Sequence, residues 1–136
     1  MSPGTISASE KIAAFVSGFD AARVSAEAEH CSRRAFLDTL AVAVAGRNEP
    51  VSRLIVEFVR SRRSDRAAHV WSTRHVVDEE AAALANGTIA HAIDYDDVTV
   101  PLHGHPSVAI FPALAALAEA RGRPLDEVAV SYIVGF

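Results

Sequence analysis

Apolar residues recur at three- and four-residue intervals along most of this chain, and where the recurrence is densest they are alanines. A period of 3.6 places such positions on one stripe of an α-helix. Half of the 136 residues are hydrophobic but only 7% are aromatic, a balance that favours closely packed helices over sheet and excludes disorder. The expected fold class is all-α, a helical array with little or no sheet. A chain of this length holds a single domain, residues 1–136, around one core.

Six helical segments follow from the spacing. Ser9 can cap a first, whose stripe is Ile12, Phe15, Val16 and Phe19. Ser25 can cap a second, with Glu27 and Glu29 near its positive end, a seam of Leu37, Leu40, Ala41 and Val44, and Gly46 as a stop. Pro50 opens a third, with Val51, Leu54, Ile55, Phe58 and Val59 on one face. Residues 67–77, β-branched and aromatic, read as a short extended segment or hairpin arm. Asp78 caps a fourth helix, with Ala82, Ala85, Ile89, Ala92 and Ile93 inward. Gly87 within it points to close approach of another helix, or else to a break at Asn86-Gly87. Pro106 opens a fifth, kinked or restarted at Pro112, which should meet the fourth through Ala and Gly faces, with Ile89 and Ala113 on one interface. Pro124 opens a sixth that buries Leu125, Val128, Ala129, Tyr132, Ile133 and Phe136. Its apolar pattern still runs at Phe136 without a cap, which predicts a truncated domain or a surface awaiting a partner.

Charge and cysteine content narrow the setting. Thirteen basic against 17 acidic residues give a net charge of −4, unlike the basic face that meets nucleic acid. Cys31 is the lone cysteine, so no intramolecular disulfide forms and the expected compartment is the cytoplasm. It reads as a small core residue, and Trp71 as an anchor for the irregular segment. Apolar stretches are broken by charge before they reach bilayer length, and no leader pattern is visible. Membrane and nucleic acid are therefore not expected partners. Arg60, Arg62, Arg63 and Arg66 read as the solvated end of the third helix. Lys11 is the only lysine, so lysine chemistry beside the histidines has to come from elsewhere.

The chemistry gathers in HAIDYDDVTVPLHGHPS, which begins at His91. Three of the six histidines and three carboxylates (Asp94, Asp96, Asp97) fall within fifteen residues. Singly, each carboxylate reads as a solvated loop residue and each histidine as a backbone partner; their coincidence points to a site. His91 and Asp94 share a face at a helix end. Gly104 lets the backbone between His103 and His105 approach a ligand. His105 precedes a helix whose positive end favours a bound carboxylate. A loop carrying bases and acids between two helices suits proton transfer. If that loop is extended, Asp96 points away from Asp94.

The run AALANGTIAHAIDYDDVTVPLHGHP from Ala82 to Pro106, followed by SVAIFPALAALAEARG, resembles the MmgE/PrpD family. RAFLDTLAVAVAG from Arg34 is similar to the family's early helix, and SYIVGF to the start of a further one. The resemblance covers nearly all of the chain from about residue 25. It implies the N-terminal part of a large helical domain, a smaller α+β domain over the site, and a homodimer formed through the helical domain. It also implies a cofactor-independent lyase that needs no metal and acts on a small polycarboxylate. The reaction would be dehydration of a 2-methylcitrate-like acid, decarboxylation of a cis-aconitate-like one, or epimerisation. By matching position, Asp94 and His105 are the catalytic pair, with His91, Asp97 and His103 as substrate-binding neighbours. Val98 stands where many members have Thr, and the family's later active-site lysines fall beyond Phe136.

Two rivals use the same residues otherwise. D-x-D-D with H-x-H offers oxygen and imidazole ligands for Zn²⁺ or Mn²⁺, although neither run has a closed zinc spacing. A non-catalytic helical fragment would instead dock a partner through its sixth helix.

Overall fold

The computed structural model describes residues 6–62, 65 and 67–136. Among them six α-helices and one short antiparallel ribbon form the chain, in the order α1 (Ala8–Ser17), α2 (Ala26–Gly46), α3 (Pro50–Val59), β1 (Ala67–His69), β2 (Val76–Asp78), α4 (Glu79–Ala90), α5 (Pro106–Ala120) and α6 (Leu125–Gly135). A 3-10 turn, Ala21–Arg23, joins α1 to α2. The all-α expectation holds. The ribbon spans the stretch read as extended and runs one residue past it, with Ala67 opposite Asp78 and His69 opposite Val76.

Most helix starts fall where the caps place them. Ser25 accepts from Ala28 N–H and Asp78 from Ala81 N–H, while Pro50 occupies the first turn of α3. The first helix begins earlier than expected. Ser7, not Ser9, caps it, because Glu10 three residues on completes a reciprocal capping box.

The central element is α4, which touches α2, α3, α5 and both strands. Its inward face is alanine: Ala81, Ala82, Ala85 and Ala90 are buried with Ile89, against Val42, Ala43, Val59, Val70 and Val77. Two glycines set how close its neighbours come. A Cβ on Gly46 would fall 2.6 Å from the Ile89 carbonyl oxygen, so Gly46 serves contact between α2 and α4. It does not act as a left-handed stop, since the cap after it, Arg47, is right-handed. A Cβ on Gly87 would lie 3.1 Å from the Val108 carbonyl oxygen of α5. That carbonyl is the one Pro112 leaves without its helical donor, and α5 runs through Pro112 without restarting. The expected α4–α5 contact is present, but Val108 and Pro112 make it; Ala113 is exposed on another side.

Several expected seams face outward. On α2 the buried residues are Ser32, Thr39, Val42, Ala43 and Gly46, whereas Leu37, Ala41 and Val44 are exposed and Leu40 half-buried. Small side chains allow closer approach, and Ser32 Oγ donates to the Ala129 carbonyl of α6 at 3.0 Å. Val59 is buried on α3, but Val51, Leu54 and Phe58 are exposed. α1 buries no residue. On α6, Val128, Ala129 and Tyr132 are buried and Leu125 and Phe136 are not. Cys31 is exposed rather than part of the core. Trp71 does anchor its segment: its N–H donates to Asn86 Oδ1 at 2.8 Å, and its ring meets Phe36 edge-on. Arg60 pairs with Glu57 and Arg62 with Asp78, while Arg63 and Arg66 lie outside the described residues.

Candidate functional site

The site loop hangs between the end of α4 and the start of α5, the two helices with the most extensive mutual contact. His91 is the C-cap of α4, and its N–H returns to the Gly87 carbonyl. Ala92 N–H reaches the Ile89 carbonyl, beside which Gly46 packs, so α2 backs the exit of α4. Asp94 takes a left-handed conformation, φ 51°, which aspartate tolerates better than most side chains. That reversal ends any extended alternation and folds Asp96 inward. Further on, Thr99 N–H bonds the Gly104 carbonyl at 3.1 Å, closing a small loop that brings the chain back to His105. His105 is the N-cap of α5 and makes no side-chain cap bond.

Asp97 supplies the anchoring that His105 does not. Its carboxylate accepts from Ser107 N–H at 3.2 Å and from Ser107 Oγ at 2.7 Å, at the opening turn of α5. Ser107 Oγ also meets the Tyr132 hydroxyl at 2.8 Å, tying the loop to α6. Burial pushes the Tyr132 hydroxyl above its ordinary pKa, and its ring stacks on Phe111 with centroids 3.9 Å apart.

Four side chains converge in front of this anchor. Asp96 is the buried member, its side chain 1% exposed. One of its oxygens is 2.9 Å from His91 Nδ1 and the other 3.2 Å from the same atom. His105 Nδ1 lies 3.0 Å from Asp96 Oδ2, off hydrogen-bond alignment, and is buried with no other partner. His105 Nε2 stands 3.4 Å from Asp94 Oδ1, and Asp94 is largely exposed. The two imidazoles meet edge-on with centroids 4.8 Å apart. One ligand atom from each of His91, Asp94, Asp96 and His105 lies within 4.8 Å of the others, a set that a divalent cation can use.

The structure therefore brings together three of the five residues singled out from the sequence: Asp94, His105 and His91. Asp97 is turned to Ser107 at the other side of the loop. His103 sits exposed at a left-handed φ of 51°, outside the four-residue group. Asp96, expected to point away, is instead its centre, because the turn at Asp94 breaks the alternation. Only the acidic run itself hinted at Asp96; which of three neighbouring carboxylates is buried depends on how the loop folds.

These features define a helical scaffold that presents a paired carboxylate–imidazole cluster on one inter-helix loop. The chain belongs to the MmgE/PrpD family: residues 10–136 match the model of the MmgE/PrpD N-terminal domain. It is similar to human cis-aconitate decarboxylase, 30% identical over 118 residues that make up 86% of this chain and 24% of that protein. The mouse cis-aconitate decarboxylase is 33% identical over 90 residues, 65% of this chain and 18% of that protein. The chain thus spans less than a quarter of the length of these relatives. Among the described residues no helix is long and apolar enough to cross a membrane.

Proposed function

We propose that this chain carries part of the active site of a lyase acting on a small polycarboxylate, with Asp94 and His105 as the groups that move the proton. The observation that carries the reading is His105, at the start of α5 with Nε2 toward Asp94 and Nδ1 toward Asp96. Between decarboxylation and dehydration, likeness to two cis-aconitate decarboxylases favours decarboxylation of a cis-aconitate-like acid. In that reaction the bond to one carboxylate breaks and carbon dioxide departs with its oxygens. The electron pair left behind spreads into the remaining unsaturated acid, and a proton from His105 or Asp94 closes it. Dehydration of 2-methylcitrate needs the same pair in the other sense: a base takes a proton beside a carboxylate and an acid protonates the departing hydroxyl. Position at a helix N-terminus favours a substrate carboxylate next to His105. His91, Asp97 and His103 have supporting roles, Asp97 by fixing Ser107 and with it the start of α5.

Two further parts of the reading concern what covers the chain. Tyr95, Val98, Val100 and Leu102 form an exposed apolar rim around the loop, suited to a second domain closing over it. The outward seams of α2 and α3 suit a homodimer through the helical domain, in the cytoplasm. The experiment is turnover of cis-aconitate, citrate and 2-methylcitrate by the purified full protein, with and without chelator. Carbon dioxide release from cis-aconitate is the expected result. No turnover of any of the three sinks the reading. Activity lost with about one Zn²⁺ or Mn²⁺ per chain moves it to a second reading, a divalent centre on His91, Asp94, Asp96 and His105.

A further inference from the structure

We propose that Asp96 is the positioning residue of this site: one buried carboxylate holds both His91 and His105 by Nδ1, so that each ring turns Nε2 outward as its basic nitrogen. Its catalytic part rests on the lyase reading; its structural part stands alone. Asp96 is buried, and a buried carboxylate needs donors to remain ionised. The described contacts give it one hydrogen bond, from His91 Nδ1 at 2.9 Å, and bring His105 Nδ1 to 3.0 Å, within bonding distance but off alignment. An ionised carboxylate only accepts, so the nitrogens facing it carry the protons. For His105 the argument is sharper, because Nδ1 is buried and has no other polar partner. At 3.0 Å from Asp96 Oδ2 it lacks only alignment for a hydrogen bond to that oxygen.

Fixing the proton on Nδ1 decides what the other edge can do. Nε2 of His105 then faces Asp94 as a lone pair in the neutral ring and as a donor when protonated. A proton can pass between Asp94, His105 Nε2 and substrate without disturbing the buried Nδ1–H. The edge-on contact of the two rings makes the arrangement one unit: the carboxylate that orients His105 also orients His91. The same logic orients the imidazole of a serine hydrolase triad, where loss of the carboxylate leaves the geometry but the wrong tautomer.

The test is nitrogen-resolved histidine NMR on the full protein, at about pH 8 where an ordinary imidazole is neutral. His91→Gln and His105→Gln assign the signals. Both rings should show Nδ1 protonated and Nε2 bare, the reverse of the tautomer that free imidazole side chains prefer. Asp96→Asn, whose amide can donate, should release at least the His105 ring to the Nε2–H form. It should also lower kcat about 10²-fold or more with KM little changed. Parental rings in the Nε2–H form overturn the proposal, and that result is read from the parental spectrum once the two Gln variants have assigned it. So do parental tautomers in Asp96→Asn with activity lost only in step with the folded fraction. If the parent turns over no polycarboxylate, the lyase reading falls, while an Nδ1–H pattern that Asp96→Asn abolishes still upholds the assignment of Asp96.

Discussion

Around α4 the buried side chains are small, Ala81, Ala82, Ala85 and Ala90 among them, whereas the outward faces of α1, α2 and α3 carry large ones: Ile12, Phe15, Leu37, Leu54 and Phe58. In the first region backbones meet at Gly46 and Gly87, and stability comes from close packing with little side-chain entropy lost. In the second, large apolar area stays in contact with water and contributes little to the fold of this chain. Close geometric control is confined to the first region. The loop with Asp94, Asp96 and His105 grows out of the close-packed region, so its geometry inherits the rigidity of the α4–α5 contact. The outer seams carry area, which suits association.

The largest expected effect tests the loop itself. Asp94→Asn and His105→Gln, made in the full protein, should each lose about 10²–10⁴-fold in turnover and melt within a few degrees of the parent. Near-parental turnover by both removes them from the chemistry, whatever their distance from each other. A drop in melting temperature that matches the lost activity would make them part of the packing instead.

The glycines test the close-packed region directly. Gly46→Ala places a methyl 2.6 Å from a backbone carbonyl that cannot swing aside, and overpacking of this kind costs about 1–3 kcal/mol. Gly87→Ala, at 3.1 Å, asks the Val108 carbonyl to yield only slightly and should cost less. Gly122 has a left-handed φ of 62° and open space around it, so Ala there meets backbone strain alone, about 1 kcal/mol. Urea unfolding of the three variants should rank Gly46→Ala as the worst. If Gly46→Ala is the mildest, the contact between α2 and α4 is looser than described.

A smaller effect comes from acid. The Ala81 N–H at the start of α4 holds the Asp78 carboxyl below the usual carboxylate range, with Arg62 adding to it. Asp78 is ionised more readily in the folded chain than in the unfolded one. Its contribution to stability is therefore present above the unfolded value of about 3.9 and lost as pH falls through the lower folded value. Asp78→Asn should flatten that part of the stability–pH curve. An unchanged acid limb in the variant would show that the cap of α4 carries none of it.

The smallest effect on protomer stability is expected on the outer faces. Leu37→Gln and Leu54→Gln, both at exposed positions, should change it by no more than about 0.5 kcal/mol. The same substitutions should weaken self-association in sedimentation equilibrium if these seams are the dimer contact. Loss of more than about 2 kcal/mol in the isolated protomer would erase the distinction between the two regions.

Much of this was readable in the sequence because it depends on near neighbours. Ser25 and Asp78 cap the helices they precede, Pro50 and Pro106 open theirs, and the extended reading of 67–77 meets a strand pair at Ala67–His69 and Val76–Asp78. Gly87 marked a close helix approach. The motif around His91–Pro106 marked the loop in which Asp94 and His105 come together. The helix faces were less legible, since periodicity finds an apolar stripe but not what lies against it. On α2 the stripe of Leu37, Ala41 and Val44 is outward, and a face with Ser32, Thr39 and Gly46 is buried.

The helical class, most helix starts and the segment that gathers acids and imidazoles are set by hydrogen bonds and spacings a few residues long. Which groups in that segment meet depends on how the helices around it pack. Asp94 takes a left-handed turn, and Asp96 two residues on is buried between two imidazoles. Its neighbour Asp97 is drawn off to Ser107 and, through it, to Tyr132 on α6. Three carboxylates within four residues thus face three environments, because burial and donors come from the ends of the two flanking helices and, through Ser107, from α6, and leave no mark on the spacing of the carboxylates themselves.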